Sequence, residues 1–310
     1  MVDAKIRFAV QAPPIDDPVA FRELARKAED CGFFALYVAD HLGATFDPFA
    51  ALTAAASVTS TLRLGTYVCN AAVRDPLSLA AGAATVDVLS NGRMILGLGA
   101  GHTPAEWTMV GRSYPSAGAR VRHLGEVVDV VRALLRGEVV SYEGESVHTH
   151  EAFLLSLRPV QDEIPLLIGG NGARVLDLAG RTADVVGLTG TGRTLADGHN
   201  HVVEWAPAAI DARVEAVRHA ARDRVRPPVL DALVQYVAIT DDRRAAAERV
   251  ASRVEGLDAA DAVAAPYVLV GTLDQLDAEL AAHRARWGFS SYVIRSAALD
   301  AGARLIELLR

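Results

Sequence analysis

Apolar residues come along this chain in short, dense runs. IRFAVQ (6–11), FALYVAD (34–40), LRLGTYVC (62–69) and MILGLG (94–99) are rich in branched and aromatic side chains and show no polar alternation. Such runs predict strands buried on both faces. Ala-rich stretches with helical patterning lie between them, and the same punctuation opens each. Asp17-Pro18, Asp47-Pro48, Asp75-Pro76 and Thr103-Pro104 put an N-cap oxygen before a proline at the first helical position, where a missing N–H costs nothing. The pairs recur at intervals of 30, 28 and 28 residues, about one βα unit each.

The second half repeats the alternation more loosely. PLLIGG (165–170), ADVVGLTG (183–190), a long run near 229–239 and SYVIRS (291–296) supply four more strands. Helices are expected over about 172–180, 207–223, 242–255 and 272–287, the last opened by a Thr272-x-x-Gln275 capping box. Eight strands alternating with helices define an α/β chain and predict a (β/α)8 TIM barrel, with an open doubly wound sheet as the alternative. Two segments exceed a minimal barrel. Residues 112–150 add a helix (about 118–136) and a hairpin around Glu143-Gly144, and residues 191–206 add a long loop. The expectation is a single domain, 1–310, with insertions after strands four and six that lie over the barrel mouth.

Composition narrows the function classes. The 310 residues are 51% hydrophobic and carry a net charge of −7. That balance leaves no basic stripe for nucleic acid. No apolar run approaches the roughly 20 residues of a membrane span, and the N-terminus lacks signal-peptide features. Cys31 and Cys69 both sit in apolar runs and read as buried thiols of a reducing compartment. A soluble cytoplasmic protein is expected. No His, Cys or carboxylate spacing makes a zinc site, and neither a P-loop nor a G-x-S-x-G elbow occurs. His148 and His150 read as hairpin surface, His199 and His201 as polar loop.

Candidate chemistry gathers at strand ends. In a barrel the C-terminal ends of all strands converge on one face, where active sites sit. Strand two stops at Asp40-His41. Strand three ends in Thr66-Tyr67-Val68-Cys69-Asn70. Strand four ends in Gly97-Leu98-Gly99-Ala100-Gly101-His102, followed by Thr103-Pro104-Ala105-Glu106, which has the form of a capping box. Strand five ends in Ile168-Gly169-Gly170-Asn171-Gly172, directly before a helix. Glycines there let a planar ligand or a phosphate approach the backbone, and a helix N-terminus favours anions. Trp107 and Trp205 are expected to pack as core aromatics or to line a mouth pocket.

These stretches resemble the bacterial luciferase-like flavin and deazaflavin oxidoreductases over nearly the whole chain. The likeness lies in RFAVQ, the helix end Ala28–Phe33, VADHLG, LRLGTYV, DPLSLA, VLSNGRMILGLGAGH, residues 158–172, AGRTADVV and YVLVGTLDQL. DHLG followed by GLGAG and IGGNG is most similar to the branch using the deazaflavin coenzyme F420, which implies an insertion-bearing barrel, commonly a homodimer. The resemblance carries over by residue. Asp40 and His41 match the Asp-His pair beside the reactive ring. Tyr67-Val68 matches a cis peptide whose second residue backs the ring. Asn70, Ala100 and Gly101 match cofactor contacts, and Asn171 and Gly172 match the loop at the cofactor's phosphate end, with Gly169 and Gly170 leading into it. Where sugar-phosphate dehydrogenases of the branch place a glutamate base, this chain has His102, and their sugar-phosphate cations have no clear match. The implied activity is hydride transfer between F420 and a small organic substrate, with His41 balancing charge on the ring and His102 as general acid or base. The absence of an Arg after Gly101 favours deazaflavin over FMN. An FMN-using, oxygen-dependent monooxygenase and a non-catalytic flavin-binding protein stay open as alternatives.

Overall fold

The computed structural model describes residues 5–14, 16–44, 46–194 and 201–310. Eight parallel strands form its centre: β1 (Arg7–Gln11), β2 (Ala35–Val38), β3 (Arg63–Thr66), β4 (Met94–Gly99), β5 (Leu166–Gly169), β6 (Val185–Leu188), β7 (Val229–Leu233) and β8 (Phe289–Arg295). They pair in the order β3-β2-β1-β8-β7-β6-β5-β4, and β3 also pairs with β4, which closes the barrel. The open-sheet alternative is thereby excluded. A two-residue strand, Cys69–Asn70, continues the β3 edge alongside the end of β4, with Asn70 opposite Gly99.

Double-sided burial explains why the strands lack polar alternation. On β2, Leu36 and Val38 pack outward against the helices, whereas Ala35 and Tyr37 fill the lumen. The same split puts Phe8 and Val10 outside and Ala9 inside on β1, and Tyr292 and Ile294 outside with Val293 inside on β8. The lumen is a packed core of small and large residues, as a barrel of this size requires.

Helices α1 (Pro18–Asp30), α2 (Pro48–Ala56) and α3 (Pro76–Leu89) begin where Asp-Pro predicted. Each capping carboxylate accepts two backbone N–H groups, as Asp75 does from Leu77 (2.8 Å) and Ser78 (3.2 Å). Such a cap is worth about 1 kcal/mol. Between β4 and β5 come α4 (Pro104–Met109), α5 (Ala117–Leu135) and an antiparallel hairpin (Val140–Glu143 with His148–Ala152). Glu126 on α5 clamps the hairpin turn, taking the N–H groups of Glu145, Ser146 and Val147. His148 and His150 are exposed on it. After β5, α6 (Ala173–Thr182) leads to β6, and a short hairpin (Thr191–Thr194 with His201–Val203) precedes α7 (Pro207–Ala220). The expected loop 191–206 thus carries a strand pair. His199 lies outside the described residues.

The long run near 229–239 is two strands. β7 ends at Leu233, and Tyr236–Ile239 leaves the barrel to pair in parallel with Val268–Gly271. Gln235 marks the break: its N–H donates to the Tyr267 carbonyl outside the barrel. Helices α8 (Arg243–Ala251), α9 (Ala259–Ala264), α10 (Leu273–Trp287) and α11 (Leu299–Leu308) complete the order, and the Thr272–Gln275 capping box forms in full. Among the described residues no helix is long and apolar enough to cross a membrane. Both cysteines are free thiols. Cys69 is buried, but Cys31 is only partly so, because it caps the end of α1 near the surface.

Candidate active site

Asp40 and His41 emerge beside β2, and the chain ends after β3 and β4 bring partners to both. Glu106 stands at the centre of the arrangement. Its Oε1 lies 2.9 Å from His41 Nδ1, and its Oε2 accepts a 2.8 Å hydrogen bond from Asn70 Nδ2. Asn70 in turn donates its backbone N–H to Asp40 at 3.2 Å. Asp40 is gripped by Arg74 through Nε (2.6 Å) and Nη2 (2.8 Å), a bidentate pair, and a second carboxylate, Asp47, lies 3.0 Å from Arg74 Nη1. Asp40, Asn70 and Glu106 are each only 5% exposed, so these bonds are made largely out of water. His102 joins from the β4 end, its ring perpendicular to that of His41 at 6.1 Å. The Tyr114 hydroxyl holds the His102 carbonyl at 3.1 Å.

Charge follows from this list. With His41 protonated, two cations face three carboxylates. The hydrogen bond that His41 donates to Glu106 is the largest influence on His41 and raises its pKa above the ordinary value, outweighing burial, which lowers it. Burial pushes the Glu106 carboxyl up, but the bonds from His41 and Asn70 more than offset it, and Glu106 ends below the ordinary range. With Nδ1 turned to Glu106, Nε2 is the His41 nitrogen that can meet a ligand. The half-exposed imidazole therefore stands at the rim of the mouth with its protonated form favoured by Glu106.

Glu106 is the residue that sequence reading missed. Thr103-x-x-Glu106 has the form of a capping box, yet the Thr103 side chain makes no cap bond. Its glutamate crosses to His41 and Asn70 instead. Arg74 was also missed, since nothing in AAVRDP separates it from an ordinary surface cation. A third omission lies below the site. Asp231, wholly buried in the lumen, accepts hydrogen bonds from Ser291 (2.6 Å) and Tyr67 (3.3 Å). Burial raises its carboxyl to about 6.

The Tyr67–Val68 peptide is cis, as the resemblance implied. The Val68 side chain enters a slot lined by glycines. A Cβ on Gly99 would lie 2.6 Å from Val68 Cγ2, and one on Gly169 would lie 3.0 Å from Cγ1. A Cβ on Gly97 would meet the Thr66 carbonyl at 2.0 Å. Gly101 has φ +73°, and its Cβ would overlap the Asn70 amide. Gly170 is closed off by Val175. These glycines, expected to admit a ligand, therefore first admit the protein's own side chains. Ala100 sits among them, half-buried. Gly172 differs: a Cβ there meets nothing within 4 Å. It stands at the start of α6, which has no side-chain cap, whereas α1, α2, α3 and α5 are capped by Asp17, Asp47, Asp75 and Ser116. Asn171 is fixed beside it, its Oδ1 accepting from the N–H groups of Thr189 and Gly190. Trp107 and Trp205 are both buried. Among the described residues no group of three or more His, Cys, Asp or Glu is placed to hold a metal ion.

A (β/α)8 barrel with an acid–imidazole network at its strand ends places polar chemistry where barrel enzymes carry it. The comparison with known proteins is more specific: the profile of the luciferase-like monooxygenases matches residues 4–291, and the chain belongs to that family. A 5,10-methylenetetrahydromethanopterin reductase of Methanopyrus kandleri is 32% identical over 195 residues, covering 59% of this chain and 55% of that protein. An F420-dependent glucose-6-phosphate dehydrogenase of Nakamurella multipartita is 33% identical over 193 residues, covering 59% and 56%. Each match thus spans little more than half of the relative. A solved coenzyme F420-dependent tetrahydromethanopterin reductase from Methanopyrus kandleri shares the fold, with a TM-score of 0.77 at 23% identity over 98% of this chain and 97% of the other.

Proposed function

We propose that this protein is an F420-dependent oxidoreductase that moves a hydride between the deazaflavin and a small organic substrate. The observation that carries the reading is the network in which Glu106 ties His41 to Asn70 and, through it, to Asp40, at the edge of the slot holding Val68. The fit to a phosphorylated tricyclic coenzyme rests on two features. Val68 offers an apolar backing for a flat ring. The bare start of α6 at Gly172 leaves backbone N–H groups for a phosphate, as helix N-termini do elsewhere. When bound, the coenzyme supplies the hydride-carrying carbon.

The protein's own residues supply the rest. His41, whose protonated form Glu106 favours, presents a donor at the ring edge. Arg74 neutralises Asp40, so the buried carboxylate orients the Asn70 loop without repelling an anionic ligand. His102, exposed beside His41, is the group placed to give a proton to the substrate or take one from it. Tyr67, Ala100, Gly101, Gly169, Gly170 and Asn171 shape the floor and rim. Two relatives with dependence on F420 in their names support the choice of coenzyme. A sugar phosphate is not the favoured substrate, because His102 stands where a glutamate base was expected.

The test is an anaerobic single-turnover assay with reduced F420 and a panel of small carbonyl, imine and enone compounds. The reading predicts coenzyme oxidation matched by substrate reduction. Turnover that instead needs reduced FMN and consumes oxygen would replace it with the monooxygenase. Binding without turnover across the panel would favour the non-catalytic alternative.

A further inference from the structure

The barrel mouth has a second side. His41, Glu106 and His102 gather where β2 and β4 end, and β8 stands opposite β4, four strands away in either direction around the closed sheet. β8 ends in Arg295 and its neighbour β1 in Gln11, and the two residues lie side by side in register. Side chains alternate along a strand. With Val293 and Ala9 in the lumen, Arg295 and Gln11 are the next inward positions, one layer higher, at the mouth. Arg295 is open to solvent there, yet recessed enough that burial lowers its pKa.

Two neutral amides hold this cation. Gln11 spends Nε2 on the Tyr67 carbonyl at 2.8 Å and turns Oε1 to Arg295 Nη1. Gln235, just beyond β7, spends Nε2 on the Leu233 carbonyl at 3.3 Å and turns Oε1 to Arg295 Nη2 at 3.0 Å. Each amide nitrogen is taken up by a backbone oxygen, which fixes each amide oxygen on the guanidinium. Arg295 is thereby oriented without being neutralised, and no carboxylate figures among the influences on its pKa. The buried acids nearby are engaged elsewhere. Asp40 is gripped by Arg74, Glu106 is bonded to His41 and Asn70, and Asp231 lies lower in the lumen with Ser291 and Tyr67. A guanidinium has more N–H groups than two bonds consume, so donors remain for a ligand. Through the Gln11 amide, Arg295 is also only two hydrogen bonds from the Tyr67–Val68 peptide.

We propose that Arg295 anchors the substrate, and that the substrate is a small carboxylic acid whose reducible group lies toward His102. The inference rests on the hydride-transfer reading above and names its substrate class. One unneutralised cation matches the single charge of a carboxylate, and its planar fork fits the two carboxylate oxygens. A phosphate monoester carries about 1.5 to 2 charges, which one guanidinium does not balance.

Calorimetric titration with 4-oxopentanoate and with cinnamate, each against its methyl ester, tests the anchor. It is run on the free protein and on protein saturated with oxidised F420, where oxidised coenzyme and unreduced substrate cannot react. At least one acid should bind at least about tenfold more tightly than its ester, as a charge-assisted hydrogen bond allows. Arg295→Gln should abolish that preference, and Arg295→Lys, which keeps the charge, should retain part of it. A purely structural loss, through Gln11 and the Tyr67 carbonyl, would weaken acid and ester alike and leave the preference standing. Should Arg295→Gln not fold, the wild-type ratio and the Lys variant decide. Equal affinities in wild type, no binding of either acid, a preference that survives in Arg295→Gln, or tighter binding of propyl phosphate than of both acids would overturn the proposal. Failure of F420 to bind would strike the coenzyme reading instead, and the free-protein titration would still judge the anchor.

Discussion

At the scale of single residues, Glu106 is the pivot. It is nearly buried, it bonds two groups with its two oxygens, and both histidines lie close enough to lower its own pKa. Glu106→Gln keeps the shape and removes the charge. The causes that raise the His41 pKa then weaken while burial, which lowers it, remains. The His41 pKa should move down, and the limb of the kcat/KM profile that reports it should move to lower pH. Imidazole NMR titration of wild type and variant reads the shift directly; an unchanged His41 pKa would deny Glu106 its role. His41→Ala and His102→Ala should each lower kcat/KM by about 10²–10⁴-fold, the usual contribution of a positioned acid or base. His102→Ala should cost little stability, since its side chain reaches the exposed rim, whereas His41→Ala leaves the buried Glu106 one partner short and should cost about 1–3 kcal/mol.

At the scale of elements, the strand ends are shaped by what must pass between them. Gly99 of β4 and Gly169 of β5 flank Val68, and a methyl group at Gly99 has no room. Gly99→Ala should cost about 1–3 kcal/mol by overpacking. Val68→Ala should relieve that strain, so the pair should show a coupling of about 0.5–3 kcal/mol in urea unfolding. Additive effects would mean that the glycine serves something other than Val68. The same region shows where sequence pattern suffices and where it does not. All eight barrel strands, the three Asp-Pro caps and the strand-end location of Asp40, His41 and His102 are legible, because burial on both faces and helix capping are local rules. The meaning of Glu106 is not legible. A glutamate three residues after a threonine satisfies a local capping rule equally well, and only the folded loop shows it bonded to His41, 65 residues away. Tyr236–Ile239 was fused to β7 for the same reason: an apolar run does not reveal which sheet its second half joins.

At the scale of the whole molecule, the lumen couples the site to stability. Asp231 sits below Tyr67, held by Ser291, with no exposure. Its carboxyl is raised from 3.8 to about 6 by burial. Between those values the folded chain binds a proton that the unfolded chain has released, so stability is fully present below the lower value and is lost as pH rises through the upper one. Near neutrality the loss is about 3 kcal/mol. Asp231→Asn removes the titration and should flatten the stability profile across pH 4 to 7. A denaturant midpoint that keeps its wild-type slope in the variant would assign the pH dependence elsewhere. The lumen also supports the floor of the mouth: Gln11 donates to the Tyr67 carbonyl at 2.8 Å, and Arg295 holds Gln11.

On the proposed reading this mouth, with Val68 at its back and the bare start of α6 at its rim, takes a deazaflavin. Equilibrium titration of the purified protein with F420 and with FMN, each oxidised and reduced, tests it most directly. F420 should bind at least about tenfold more tightly than FMN, a difference of roughly 1.4 kcal/mol. Tighter binding of reduced FMN, or no binding of either coenzyme, would contradict it.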